Sequence, residues 1–365
     1  MRRTFIRHIL VISLAAATPL NCIAQATAPD LVREEIVFYH GEDRLSGTLV
    51  RPSSGRHPAV VTILGSGAQD REYGGDVPAL AENFAKHGIA CLSWDKPGVG
   101  KSTGDFNRQS FKDRADEALA AINYLRQRKD IVPDKIGIWG HSQGGMIAPL
   151  AASLSENVAF LIEVGGWQGP AWRQDIVRVE MEMRGANCSE ADIREAVVFA
   201  TMRMEMMRGK APFEEFDRKQ MAVASKSWFD PYIHYCPADL FYVSRPILNH
   251  NLASSWSKVR CPVLVIYGEC DRSSGNPKPL IALIKAGLAR ARNKDLTVRL
   301  FPMADHSLHP VPPERQPRQS GADKPTTEQK PEGEKRFVPG YLELLVEWLN
   351  KHIVSPASPV LPDSR

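Results

Sequence analysis

Along most of the chain, short apolar runs alternate with longer stretches of helical periodicity. The runs predict strands near 32–39, 44–50, 58–64, 89–94, 135–139, 158–164, 262–267 and 296–301. Helical spacing fills the intervals near 76–87, 111–128, 144–154, 277–290 and 338–352. Strand followed by helix, repeated, predicts right-handed crossovers and a mostly parallel sheet covered on both faces, an α/β fold. The first two strands are joined by Gly41-Glu42-Asp43, too few residues for a crossover, so they are expected to pair as an antiparallel hairpin. No internal repeat interrupts this order.

The alternation stops between the sixth and seventh strands. From Trp167 to Trp256 the pattern is helical, and it holds Met181, Met183, Met202, Met204, Met206, Met207 and Met221 of the chain's 10 methionines. This segment is the candidate cap, with Trp167, Met204, Met207 and Trp228 as candidate substrate contacts, because flexible thioethers and aromatic rings suit an apolar pocket. The competing reading, that each methionine fills the segment's own core, stays open. From His309 to Arg336 the chain is rich in Pro, Gln, Glu and Lys and almost free of large apolar residues, so a flexible polar loop is expected. The tail after Val354 is expected to fray.

Composition narrows the setting. With 365 residues, 43% hydrophobic and 24% charged, one large domain with an insertion is the natural expectation. Arg2, Arg3 and Arg7 precede an apolar run, Ile9 to Ala17, too short to span a bilayer, and Ala24-Gln25-Ala26 offers a small-residue cleavage site. A signal peptide over 1–26 follows, and with it export to the periplasm or beyond, with no stable membrane insertion once it is removed. Cys22 lacks the flanking residues of a lipoprotein site. Removing three of the 46 basic residues and none of the 42 acidic ones leaves a net charge near neutrality, so no nucleic-acid footprint remains. Of the 6 cysteines, Cys91, Cys188, Cys236, Cys261 and Cys270 then stay, and Cys188 with Cys236 is the expected disulfide. No two cysteines have zinc-ligand spacing, so no metal is expected.

The densest chemical signal is Gly140-His141-Ser142-Gln143-Gly144, lying where the strand Lys135–Trp139 turns into a small-residue helix. Two glycines around a serine at such a junction form a nucleophile elbow, which lifts the hydroxyl out of the sheet. A candidate acid, Asp271, follows the seventh strand, and a candidate base, His306, follows the eighth, both at the edge where open α/β sheets build sites. Glu269 as acid, His309 as base and Ser66 as nucleophile are the rival assignments. Gly100-Lys101-Ser102 imitates the end of a phosphate-binding loop, but Asp95 stands where that motif needs glycine and would repel a phosphate. Asp70, Arg71, Asp95 and Lys96 are expected to form a structural ion-pair cluster.

These features resemble the α/β-hydrolase superfamily, in its bacterial branch of esterases and lysophospholipase-like enzymes related to serine aminopeptidases, over Ile36 to Ile353. Ser142, Asp271 and His306 follow that family's triad order. Gly65-Ser66-Gly67-Ala68-Gln69-Asp70-Arg71 is similar to its turn after the third strand, with Leu64 in place of a histidine. Asp95-Lys96-Pro97-Gly98-Val99-Gly100-Lys101-Ser102 is similar to its loop after the fourth, with Pro97 in place of an arginine. The resemblance implies an eight-stranded α/β-hydrolase core over 27–166 and 258–308, a helical cap over 167–257, the polar loop over 309–336, and a final core helix and tail over 337–365. It further implies an oxyanion hole built from the N–H groups of Ser66 and Gln143, a small-molecule acyl ester as substrate, an acyl-enzyme intermediate and no cofactor. A serine peptidase or acyltransferase on the same triad is the alternative, and a non-catalytic binding protein that keeps the fold is the alternative of a different class. Oligomeric state is not legible.

Overall fold

The computed structural model describes residues 30–312 and 333–354. The predicted signal peptide with Cys22, the middle of the predicted polar loop and the tail beyond Val354 lie outside the described residues. Eight strands run in chain order: β1 (Leu31–His40), β2 (Asp43–Pro52), β3 (His57–Ile63), β4 (Ala90–Trp94), β5 (Ile131–His141), β6 (Leu161–Val164), β7 (Val263–Gly268) and β8 (Leu296–Phe301). They form one sheet in the order β1-β2-β4-β3-β5-β6-β7-β8. As expected, β1 and β2 are an antiparallel hairpin, with Ile36 opposite Gly47. β2 also runs antiparallel to β4, and every later pairing is parallel.

The central strands are apolar on both faces because both faces are covered. Ala59, Val61 and Ile63 face one layer with α2 (Phe111–Arg126), α3 (Gln143–Leu154) and α10 (Pro277–Arg290). Val60, Cys91, Ile162, Leu264 and Ile266 face the other, with α1 (Asp76–Lys86) and α11 (Tyr341–Leu349). The α2 helix starts at a capping box in which Ser110 and Asp113 bond each other's backbone N–H. β5 is longer than its pattern suggests. Pro133 and Asp134 read as turn residues, yet Ile131 pairs with His57 across a register shift in the ladder.

Between β6 and β7 lie α4 (Arg173–Gly185), α5 (Glu190–Arg208), α6 (Phe213–Val223), α7 (Ala238–Val243), α8 (Arg245–Leu248) and α9 (Leu252–Trp256). They enclose two apolar clusters, one around Val179, Met183, Phe199 and Trp228, the other around Met204, Met206, Met207, Phe216 and Phe241. Most of the buried methionines here therefore pack the segment's own core. Met221 is 58% exposed. The expected Cys188–Cys236 disulfide is not formed. The two thiols belong to different clusters, Cys188 against the Tyr232 hydroxyl and Cys236 against the Pro237 carbonyl, and all five described cysteines are free.

Candidate active site

Three strand ends converge on the site. β5 ends at His141, and Ser142 then takes φ 57° and ψ −120° before α3 begins. That backbone is strained for a residue with a Cβ and persists only where neighbours enforce it. Here they do. A Cβ on Gly140 would overlap the Gly144 carbonyl, and one on Gly144 would overlap the Ile63 carbonyl, so glycines alone let the turn press onto β3. The Ser142 N–H donates to the Val164 carbonyl at 2.9 Å, which ties the turn to the end of β6.

Asp271 follows β7 with a side chain only 1% exposed. Its Oδ1 accepts the N–H groups of Ser273 at 2.8 Å and Ser274 at 3.0 Å, and its Oδ2 meets His306 Nδ1 at 2.8 Å. Burial pushes this carboxyl up, but the His306 hydrogen bond, that ring's charge and the two N–H groups outweigh burial and hold it below its ordinary range. An ionised carboxylate only accepts, so Nδ1 carries the proton and Nε2 is left as the acceptor. The imidazole lies beside Gly165, where a Cβ would come 3.3 Å from Nδ1. Ser142 and His306 thus border consecutive residues, Ser142 at Val164 and His306 at Gly165. The Gly165 carbonyl is itself held by the Ser274 hydroxyl.

The rival base is engaged elsewhere. His309 Nε2 pairs with Asp76 at 3.0 Å, a carboxylate that Arg336 also holds. Asp305 Oδ1 caps its own turn by accepting the N–H groups of Ser307 and His309. The Glu269 side chain is exposed and makes no hydrogen bond to His306.

A second histidine, which the sequence reading passed over, locks the arrangement. His141 Nε2 donates to the His306 carbonyl at 2.8 Å, and its Nδ1 accepts from the Tyr73 hydroxyl at 2.8 Å. The carbonyl can only accept, which fixes this tautomer. Burial, reinforced by the His306 charge, pushes His141 down to about 4, so it is neutral at neutral pH. Burial pushes the Tyr73 hydroxyl up to about 12.

Two cavities flank these groups. One of about 560 Å³ is bordered by Asp271, His306, Met181, Arg272 and Pro310. The other, about 290 Å³, is bordered by Ser66 and Gln143 together with Phe111, Met146, Met204 and Met207. Of the four candidate substrate contacts, Met204 and Met207 therefore reach a cavity. Trp228 does not, because its indole is buried between Phe199 and Phe229 in the helical segment's own cluster. Trp167 does not either; it packs in the main core and donates to the Pro170 carbonyl.

The expected ion-pair cluster forms in part. Arg71 holds Asp95 through Nε at 3.1 Å and Nη2 at 2.8 Å, and also pairs with Glu35. Lys96 does not join it, donating instead to the carbonyls of Gly65 and Gly67. Ser102 of the phosphate-loop lookalike bonds the Asp95 carbonyl, so that loop is an internal structural turn. Among the described residues, no cluster of three or more His, Cys, Asp or Glu is placed to hold a metal, and no helix is long and apolar enough to cross a membrane.

Residues 59–311 match the family model described as serine aminopeptidase, S33. A polyketide transferase from a Penicillium species is 28% identical over 44% of this chain, and the match spans 55% of the transferase, about half its length. Among solved structures, Est1E from Butyrivibrio proteoclasticus with ferulic acid bound superposes with a TM-score of 0.52 at 18% identity, over 88% of this chain and 100% of Est1E. Proline iminopeptidase from Mycobacterium smegmatis superposes at 0.55 with 15% identity, over 88% of this chain and 99% of that protein. At such identities the structures share a fold.

Proposed function

Since the chain belongs to the serine aminopeptidase S33 family of α/β hydrolases, we propose that it is a serine hydrolase of carboxylic esters, with Ser142 as nucleophile, His306 as general base and Asp271 as the group that orients it. The observation that carries this reading is the 2.8 Å bond from His306 Nδ1 to the buried Asp271 carboxylate, beside a serine in strained backbone. His306 Nε2 takes the Ser142 proton as Oγ attacks the acyl carbonyl, and Asp271 stabilises the imidazolium that forms. The tetrahedral oxyanion meets the N–H groups of Gln143 and Ser66. His306 returns the proton to the leaving alcohol, and water then releases the acyl-enzyme by the same route. The cavity beside Ser66 and Gln143, with walls of Phe111, Met146, Met204 and Met207, suits a short to medium acyl group.

A peptidase needs an anchor for a free amino terminus, and of the helical segment's acidic residues only Asp175 borders one of the two cavities, with its Oδ1 held by Arg178 at 2.7 Å. Glu180 is paired with Arg184 and Glu182 with Arg178, while Glu205, Glu214 and Glu215 are exposed and border neither cavity. Acyl transfer has one observation in its favour, the likeness to a polyketide transferase. The test is a chain-length series of p-nitrophenyl esters with the protein lacking residues 1–26, beside Ser142→Ala. Turnover is expected, with a loss of about 10⁴-fold or more in the variant. Release of nitrophenol that rises with an added alcohol acceptor would favour transfer over hydrolysis. A variant as active as the parent would refute the assignment.

A further inference from the structure

Two basic side chains outside the proposed triad lie under the turn that carries Ser66. Lys96 is 3% exposed and Arg114 is 7% exposed. Lys96 Nζ donates to the carbonyls of Gly65 and Gly67, and Arg114 Nη2 donates to the Leu64 carbonyl at 2.8 Å. The other arm of Arg114, through Nη1, holds the Gln143 side chain, so one guanidinium touches both halves of the proposed oxyanion site. We propose that Lys96 and Arg114 are positioning residues of that site: by drawing three carbonyls inward they turn the Ser66 N–H outward, and Arg114 also sets positive charge beneath the developing oxyanion. The proposal rests on the Ser142 hydrolase reading.

Peptide geometry carries the first half. In a trans peptide the C=O and the following N–H point in opposite directions, and the described chain has no cis bond. With the Gly65 carbonyl turned down onto Lys96, the Ser66 N–H must point away from the two basic side chains. Ser66 borders the same cavity as Gln143, and among the described residues no protein group accepts its N–H. Electrostatics carries the second half. Glu117 is buried with the two basic side chains and its charge offsets part of theirs, while its oxygens accept from Trp94 Nε1 and the Gln109 side chain and make no direct bond to either. Burial, helped by the neighbouring Arg114 charge, pushes Lys96 down to about 6, and even its neutral amine keeps enough N–H groups for both carbonyls. Burial also pushes Arg114 down, to about 10, which leaves it charged at neutral pH. Lys96 therefore supplies aim, and Arg114 supplies charge as well, in a dry setting where each counts for more than in water.

A loop that is merely stapled and a loop that aims a donor differ in what their loss does to the transition state. The test compares wild type with Lys96→Met and Lys96→Arg, measuring kcat and KM for a p-nitrophenyl ester and the Ki of an alkyl trifluoromethyl ketone, whose serine adduct carries the oxyanion. Lys96→Met is expected to lower kcat about 10- to 100-fold, short of the loss for removing a donor outright. KM should stay within about threefold, and Ki should rise by the same factor as kcat/KM falls. Lys96→Arg, which keeps donors under the turn, should retain most of both. Should Lys96→Met fail to fold, Lys96→Leu, which likewise carries no donor, takes its place with the same expectation. The proposal is overturned if Ki is unchanged while kcat falls, if KM absorbs the whole effect, or if nothing changes. A wild type that neither turns over ester nor binds the ketone would instead remove the hydrolase reading, and this proposal with it.

Discussion

At the scale of single residues, the site depends on hydrogen bonds that each leave one acceptor or donor free in a chosen place. Asp271 is the clearest case. Asp271→Asn keeps the side chain's shape but offers Nδ1 an amide in place of a carboxylate, favouring the wrong tautomer, so kcat is expected to fall by about 10⁴-fold with KM little changed. Steady-state kinetics on the preferred ester reads this directly. His141 gives a pH prediction. Its folded-state value of about 4 lies below the ordinary 6.5, so as pH falls the unfolded chain takes up the proton first. The stability this histidine provides is complete above about 6.5 and drains away between there and 4, by roughly 2–4 kcal/mol. Asp271 shifts in the same sense, its contribution being lost as pH falls through its lowered range. Urea midpoints at pH 7 and pH 4.5 should therefore differ more for wild type than for His141→Gln. Equal differences would contradict the account of His141 as a buried neutral ring.

At the scale of elements, the β5–α3 junction is the most constrained part of the chain. Gly144→Ala sets a methyl group into the Ile63 carbonyl, and both partners are backbone, so nothing flexible can give way. A loss of about 3 kcal/mol or more is expected by urea unfolding, if the variant folds at all. Ser110→Ala removes one half of the α2 capping box and is expected to cost about 1 kcal/mol. What was legible in the sequence follows the same division between local and distant causes. The runs Ala59–Ile63 and Val263–Tyr267 announce buried strands, and the elbow glycines announce their turn, because a local pattern carries each signal. Pro133 and Asp134 hid the first part of β5, since a residue that usually ends a strand here sits at a ladder irregularity. Arg114, Tyr73 and His141 were passed over, and Lys96 was assigned to an ion-pair cluster, for a different reason: each acts through a partner at least 29 positions away, or through a backbone carbonyl, and neither spacing nor composition reports such a contact. Cys188 and Cys236 failed for the same cause, as two thiols in one insertion need not share a cluster.

At the scale of the whole molecule, the parallel sheet gathers the C-terminal ends of β5, β7 and β8, and the helical segment after β6 lies against that edge. Met204 and Met207 of α5 meet Phe111 and Met146 of the core across the smaller cavity. Met207→Trp should shorten the longest acyl chain accepted by several carbons while leaving acetate esters nearly unaffected, which the ester series would show. Unchanged chain-length preference would place the acyl group in the larger cavity beside His306 instead. The measurement that reaches the central claim most directly is treatment of the protein lacking residues 1–26 with a fluorophosphonate, followed by intact mass and peptide mapping. A single adduct on Ser142, absent from Ser142→Ala and slowed in Asp271→Asn, is the predicted result. An adduct on Ser66 or any other serine, or none on protein shown to be folded, would contradict the account.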